Sequence, residues 1–132
     1  MSFRFTGEDP EHLEDMLGNI STRLKDSGHK VFCSYFMEDY FQKKKMGTEE
    51  IYTFCLDKID EYDTFLAIVT SQNRSQGMDI ESDKAFELKK NYILLIQPDL
   101  SFDHFKQKAN HVIVYQNLLD MYRTIGRLAS TW

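Results

Sequence analysis

The sequence has few of the patterns that mark secreted, metal-binding or membrane-spanning proteins. It contains only two cysteines, Cys33 and Cys55, which lie in or beside apolar segments and have no ligand-like spacing. This favours buried, reduced thiols over a disulfide or a metal centre. The four histidines include no pair at helical spacing, so we predict no metal site. No apolar run reaches the length of a membrane span and no signal-peptide pattern is present, so we expect no membrane partner and a cytoplasmic location.

An excess of basic residues is also missing. Sixteen lysines and arginines stand against 21 acidic residues, which gives a net charge of −5 at pH 7. Proteins that bind the nucleic-acid backbone are normally basic, so we expect no nucleic-acid partner. The sequence lacks a GxGxxG segment, a phosphate-binding lysine loop and a GxSxG elbow. These absences disfavour dinucleotide, P-loop and serine-hydrolase sites, and we predict no cofactor.

The sequence does contain a regular alternation of strand and helix patterns. Its 132 residues are 42% hydrophobic, which is enough for a core, and we predict a single domain over residues 1–132. The pattern predicts an α/β fold with helices on both faces of one doubly wound five-stranded parallel sheet, in the flavodoxin-like order 2-1-3-4-5. The segment Tyr35–Gly47 fits a loop, a short helix or a lid. The predicted strands are Ser2–Thr6, Lys30–Ser34, Thr64–Thr70, Tyr92–Ile96 and His111–Tyr115.

The third and fourth predicted strands flank the most regular part of the chain. Thr64–Thr70 is a continuous apolar run, and Ser71–Gln76 is polar and is predicted to be a surface loop. A helix is predicted over Met78–Lys90, and the strand Tyr92–Ile96 follows it. Strand, helix and strand in this order predict a right-handed crossover between parallel strands. The predicted inward-facing residues of the helix are Met78, Ile80, Ala85, Phe86 and Leu88.

Glu81 lies near the start of this helix, beyond the carboxyl end of a strand, where open α/β sheets bind ligands. The helix dipole favours an ionised carboxylate there. Such a group can act as a nucleophile or a base, or bind a sugar hydroxyl. Glutamate is also common in a first helical turn simply because the dipole stabilises it. The nearby charge of Asp79 predicts a raised carboxyl pKa or a partner such as Arg74 or Lys84.

The predicted strand order places two loops on opposite sides of one crevice. The loop Thr6-Gly7-Glu8 faces the segment Ser71–Glu81 across this crevice. Hydroxyl groups and the amides at the start of the helix could bind a hydroxyl or a phosphate group. The glycine and the serines also fit ordinary turn and loop roles. The candidate substrate-binding residues are Thr6, Gly7, Glu8, Ser71, Ser75, Gly77 and Met78.

The region from residue 63 to residue 98 resembles the nucleoside 2-deoxyribosyltransferase family, whose superfamily includes deoxynucleoside 5′-monophosphate N-glycosidases. Members of this family have an aspartate that opens the third strand, a glycine-rich segment with a glutamate at the next helix, and an apolar strand after a Gly-Lys pair. The glycine after the first strand is similar as well. The residues that carry the resemblance here are Asp63, Ser75–Ala85, Lys90–Ile96 and Thr6-Gly7.

The resemblance implies that Glu81 is the catalytic carboxylate. In this reading Glu81 attacks the anomeric carbon of a (deoxy)ribosyl group and releases the base, and water or a second base then resolves the glycosyl-enzyme. The substrate is a small nucleoside or nucleotide, with Ser75 and Gly77 on the sugar or phosphate side. Family members are commonly oligomers, so the resemblance also implies a homodimer or a higher homo-oligomer.

The sequence departs from the family pattern at three positions. Asp79 replaces a glycine, Cys55 replaces an aspartate, and Arg4 falls near the position of an aromatic hydroxyl in the first strand. Asp57 is the acid nearest to Cys55 and is our second candidate catalytic residue. A second reading therefore stays open, namely a catalytically inactive nucleotide-binding or TIR-like interaction or signalling domain. TIR-type cleavage of NAD is a variant of that reading.

Overall fold

The computed structural model describes residues 1–3, 9–72 and 75–132. Two helical segments and a 3₁₀ turn come first, and helices and strands alternate from residue 48 onward. In chain order the elements are α1 (Pro10–Asp26), a 3₁₀ helix (Ser34–Met37), α2 (Glu38–Lys43), α3 (Thr48–Glu61), β1 (Thr64–Val69), α4 (Gln76–Glu87), β2 (Asn91–Ile96), α5 (Asp103–Lys106), β3 (His111–Val114), α6 (Leu118–Leu128) and a second 3₁₀ helix (Ala129–Thr131).

Three strands form a parallel sheet in the order β1-β2-β3. The β1–β2 pairing runs from Thr64 opposite Asn91 to Val69 opposite Ile96, and β3 pairs with the other edge of β2. Parallel neighbours need a crossover, and α4 and α5 supply the two crossovers. The strand–helix–strand unit predicted from the sequence is therefore confirmed.

Alternate side chains of the strands point to opposite faces of the sheet and build two cores. On one face, Leu66 and Ile68 pack with α1 and α6, where Ile125 is fully buried. On the other face, Phe65 packs with α4 and α5, where Phe105 is buried. Because both faces are covered, the central strands can be apolar throughout.

The predicted five-stranded sheet with the order 2-1-3-4-5 is wrong, although the α/β class is confirmed. Three strands form the sheet in the described part of the chain. Ser2 makes an isolated parallel bridge to Ala67, in which the Ser2 amide donates to Leu66 O at 2.8 Å and the Ile68 amide donates to Ser2 O at 2.9 Å. The remainder of the predicted strand Ser2–Thr6, beyond residue 3, lies outside the described residues.

The predicted second strand, Lys30–Ser34, is described in full and forms no strand. It bonds to the N-terminal segment where the Met1 amino group donates to Phe32 O at 2.8 Å. A strand needs a series of such backbone bonds, and the chain instead turns into the 3₁₀ helix Ser34–Met37. The segment left open from the sequence, Tyr35–Gly47, consists mainly of this 3₁₀ helix and α2.

The inward face of α4 differs from the prediction. Met78 and Ala85 are buried as expected, and Ser82 lies between them on the same stripe. The other predicted core positions are exposed because they lie on other sides of the helix. These exposed residues are Ile80, Phe86 and Leu88, at 40%, 54% and 39% exposure.

Over residues 1–3, 9–72 and 75–132, none of the helices combines the length and the apolar character that a membrane span requires.

Candidate active site

Helix α4 holds Glu81 beside its buried stripe. The helix begins after β1, and Ser75 caps it by accepting a hydrogen bond from the Met78 amide at 3.4 Å. Packing of Met78 and Ser82 against the sheet fixes the rotation of the helix. Glu81 is consequently half-buried and lies on the side of α4 that faces the N-terminal segment.

The hydroxyl group of Ser2 is the hydrogen-bond partner of Glu81. Ser2 Oγ donates to Glu81 Oε1 at 2.9 Å. Ser2 is only 2% exposed, and its backbone is held by the bridge to Ala67 in β1. The sheet edge therefore positions the hydroxyl group, and the hydroxyl group fixes one carboxylate oxygen.

Burial is the main influence on the protonation of Glu81. It raises the pKa of this carboxyl group above its usual value, while the Ser2 hydrogen bond and the Met1 ammonium group act in the opposite direction. The sequence predicts a carboxylate kept ionised by the helix dipole, whereas its burial in the structure favours the neutral acid. The protonation of Glu81 therefore depends on its burial and on its two neighbours, the Ser2 hydroxyl and the Met1 ammonium group.

A cleft of about 800 Å³ opens in front of Glu81. This volume lies in the usual range for small-molecule sites. One side of the cleft is aromatic and consists of Phe3, Tyr35, Phe41 and Tyr52. Phe41 is held in place by an edge-on contact with Phe54 on α3, with the ring centroids 5.6 Å apart. Flat apolar rings of this kind suit a planar ligand group.

Another side of the cleft is polar and belongs to the first turns of α4. Ser75, Gln76 and Gly77 line it together with Glu81. The two sides meet where the Tyr52 ring lies over Gly77, since a Cβ atom added to Gly77 would lie 3.4 Å from Tyr52 Cε1. A ligand in the cleft would therefore contact aromatic rings on one side and small polar groups on the other.

The structure separates Asp57, the predicted second catalytic residue on α3, from Cys55, which occupies the position of the family's aspartate. Cys55 is buried and lines the cleft with Glu81, whereas Asp57 is exposed and is not part of the cleft lining. Residues two positions apart on a helix point in different directions, so Asp57 does not replace Cys55. Burial, together with the Glu81 charge, raises the pKa of the Cys55 thiol to about 11, which keeps it protonated at neutral pH. Both cysteines are free thiols, as predicted.

Asp79 has a partner that the sequence did not indicate. His104 on α5 lies with Nε2 3.1 Å from Asp79 Oδ1. The expected partners were Arg74, which lies outside the described residues, and Lys84. Asp79 and Glu81 lie on different sides of α4, so the two carboxylates serve different contacts.

The predicted substrate-binding residues are only partly brought together. Ser75, Gly77 and Met78 line the cleft with Glu81. Ser71 lies instead at a separate small cavity of about 10 Å³ beside the end of β1. The three predicted residues Thr6, Gly7 and Glu8 lie outside the described residues.

Sequence reasoning missed several residues of the site, among them Tyr52, Glu38 and Ser2. Tyr52 precedes Cys55 by one helical turn, a spacing that could have placed it on the same side of α3. Glu38 lies within the segment that the sequence marked as a possible lid. Ser2 carried no local signal, because its partner Glu81 is 79 positions away.

Comparison with known proteins supports the predicted resemblance at the level of the fold. The sequence matches no protein-family model and no curated protein. The solved structure of the CMP N-glycosidase BcmB from Clostridium botulinum is similar, with a TM-score of 0.69 at 18% identity. The match covers 90% of this chain and 93% of that chain. The two proteins therefore share a fold over nearly their whole lengths.

Proposed function

We propose that this protein cleaves the bond between base and sugar in a nucleoside or nucleotide, with Glu81 as the nucleophile. The observation that carries the proposal is the position of this carboxylate, which lies in an aromatic-lined cleft and accepts a hydrogen bond from Ser2. The fold shared with a CMP N-glycosidase supports the same chemistry and a nucleotide substrate.

The proposed reaction follows the retaining pattern of glycoside hydrolysis. The ionised Glu81 attacks the anomeric carbon, and the electrons of the carbon–nitrogen bond leave with the base, which takes up a proton. The product of this step is a glycosyl ester of Glu81. Water then adds to the anomeric carbon, loses a proton and releases the sugar and the free carboxylate. In a transferase, a second base replaces this water.

The two sides of the cleft fit the two parts of such a substrate. The base packs against the aromatic side, which Tyr35, Phe41 and Tyr52 line. The sugar, with any phosphate group, lies along the first turns of α4, near Ser75 and Gly77. In this proposal the anomeric carbon lies between the two sides, at Glu81.

Release of free base tests the proposal. The purified protein is incubated with nucleosides, 5′-monophosphates and NAD, and the free base is followed by chromatography. We expect release by the native protein and by Glu87→Gln, an exposed control on the same helix, but not by Glu81→Gln. Release that survives in Glu81→Gln would refute the role of Glu81. Formation of a new nucleoside after a second base is added would identify a transferase.

One observation favours a second candidate, a binding domain without catalysis. Cys55 is the residue beside Glu81 in the cleft, and its raised pKa keeps it a neutral thiol that cannot supply a charge to the reaction. A binding domain would tolerate this thiol. Nucleotides that raise the melting temperature of a protein from which no base is released would support this second candidate.

A further inference from the structure

The aromatic side of the cleft also carries a carboxylate. Glu38 is the first residue of α2 and lines the cleft together with Tyr35 of the preceding 3₁₀ helix and Phe41 of α2 itself. Glu38 and Glu81 are the two charged residues among the described residues that line this cleft. They come from different elements, since Glu81 belongs to α4.

The surroundings of Glu38 leave it able to bind a ligand. Its side chain is exposed, and Gln42 one turn later donates a hydrogen bond to Glu38 Oε1 at 3.2 Å. This bond restricts the side chain to one side of α2 and leaves Oε2 for another donor. An ionised carboxylate accepts hydrogen bonds and donates none, so the group that it selects must carry N–H or O–H.

We propose that Glu38 selects substrates whose base carries an exocyclic amino group, as cytosine and adenine do. The inference rests on the proposed function, because it takes the planar group on the aromatic side to be the base. The amino group of cytosine is a donor that a carboxylate accepts. Uracil has a carbonyl oxygen at the same position, and two acceptors facing each other repel.

The test compares cytidine and uridine 5′-monophosphates, which differ at this amino or carbonyl position. We measure kcat/KM for base release from both by the native protein, Glu38→Gln and Asp39→Asn. Asp39 is the matched control, because it is an exposed acid in the same helical turn and is not part of the cleft lining. The glutamine amide can donate as well as accept, so it removes the discrimination while keeping the shape of the side chain.

We expect the native protein and Asp39→Asn to prefer the cytosine substrate, and Glu38→Gln to lose about tenfold of that preference, as one hydrogen bond to a charged group predicts. An unchanged preference in Glu38→Gln, or a native preference for uracil, would overturn the inference and leave the proposed function intact. If the native protein releases no base, the proposed function fails instead. Calorimetry then measures the affinities of the same three proteins for the same two nucleotides. Equal affinities of the native protein for the two nucleotides would overturn the role proposed for Glu38.

Discussion

Replacing Ser2 with alanine removes the hydroxyl group that donates to Glu81 Oε1 at 2.9 Å. A hydrogen bond to a charged group contributes about 1.5–3 kcal/mol, against about 1 kcal/mol for a bond between neutral groups. The bond therefore stabilises the ionised form of Glu81 more than the neutral form, by about 0.5–2 kcal/mol. One pKa unit corresponds to about 1.4 kcal/mol, so Ser2→Ala should raise the pKa of Glu81 by about one unit.

The proposed reaction makes this change visible in the pH dependence of base release. Glu81 attacks in its ionised form, so the rate increases with pH through the pKa of this carboxyl group. We expect the acid limb of the kcat/KM profile to move up by about one pH unit in Ser2→Ala. Ser34→Ala is the control, since Ser34 lines the same cleft and is not the hydrogen-bond partner of Glu81. An unchanged midpoint in Ser2→Ala would refute the reasoning.

The change in the pKa of Glu81 can also be measured without an activity assay. Burial already raises the pKa of Glu81, so the folded state binds more protons than the unfolded state between the ordinary and the raised pKa, and stability falls as the pH rises through this interval. Ser2→Ala extends the interval upward. Ser2→Ala should therefore lower the free energy of unfolding more at a pH above this interval than at a pH below it. We expect a difference of about 0.5–2 kcal/mol in urea titrations. An equal loss at both pH values would show that the hydroxyl does not distinguish the two forms of Glu81.

Three further predictions concern the core, the thiols and the exposed acid. Tyr92→Phe removes one partner of the buried 2.6 Å hydrogen bond between the Ser82 and Tyr92 hydroxyl groups, so urea unfolding should show a loss of about 1–3 kcal/mol. The double variant with Ser82→Ala should lose less than the sum of the two single variants, and strict additivity would argue against the bond. Cys33 and Cys55 should resist iodoacetamide in the folded protein at pH 7.5 and react in urea, because both are buried and burial raises both thiol pKa values. Asp57→Asn should leave the rate of base release within about twofold, since Asp57 is exposed and outside the cleft lining; a loss comparable to that of Glu81→Gln would place it in the reaction.

The sequence was most informative where burial is complete. β1 and β2 are continuous apolar runs separated by a helix, and only a parallel crossover buries both strands, so the central unit could be predicted. At the edge of the sheet, the short Ser2–Thr6 and Lys30–Ser34 segments have strand composition. Composition does not determine whether successive backbone bonds form. In the described part of these segments, Ser2 makes an isolated bridge to Ala67, and Phe32 O accepts a bond from the Met1 amino group.

Residues of the site were predictable only where a local pattern marks them. Glu81 follows from its place after a strand and near the start of a helix. The contact between Ser2 and Glu81 and the one between His104 and Asp79 join residues 79 and 25 positions apart, so they depend on how the elements pack. The exposure of Ile80 and Phe86 depends on the rotation of α4, which Met78 and Ala85 fix by packing on the sheet.

The edge of the sheet links the fold to the chemistry proposed for Glu81. Ser2 is attached near the middle of β1 by two backbone hydrogen bonds, so its hydroxyl group has a fixed direction toward α4. It binds Oε1 of Glu81, and Oε2 is then the oxygen available to attack the sugar. Burial decreases the ionised fraction of Glu81 but also removes water that would solvate the attacking oxygen, and the Ser2 bond restores part of the ionised fraction. One contact at an isolated bridge thus fixes one carboxylate oxygen of the proposed nucleophile and offsets part of the effect of burial on its charge.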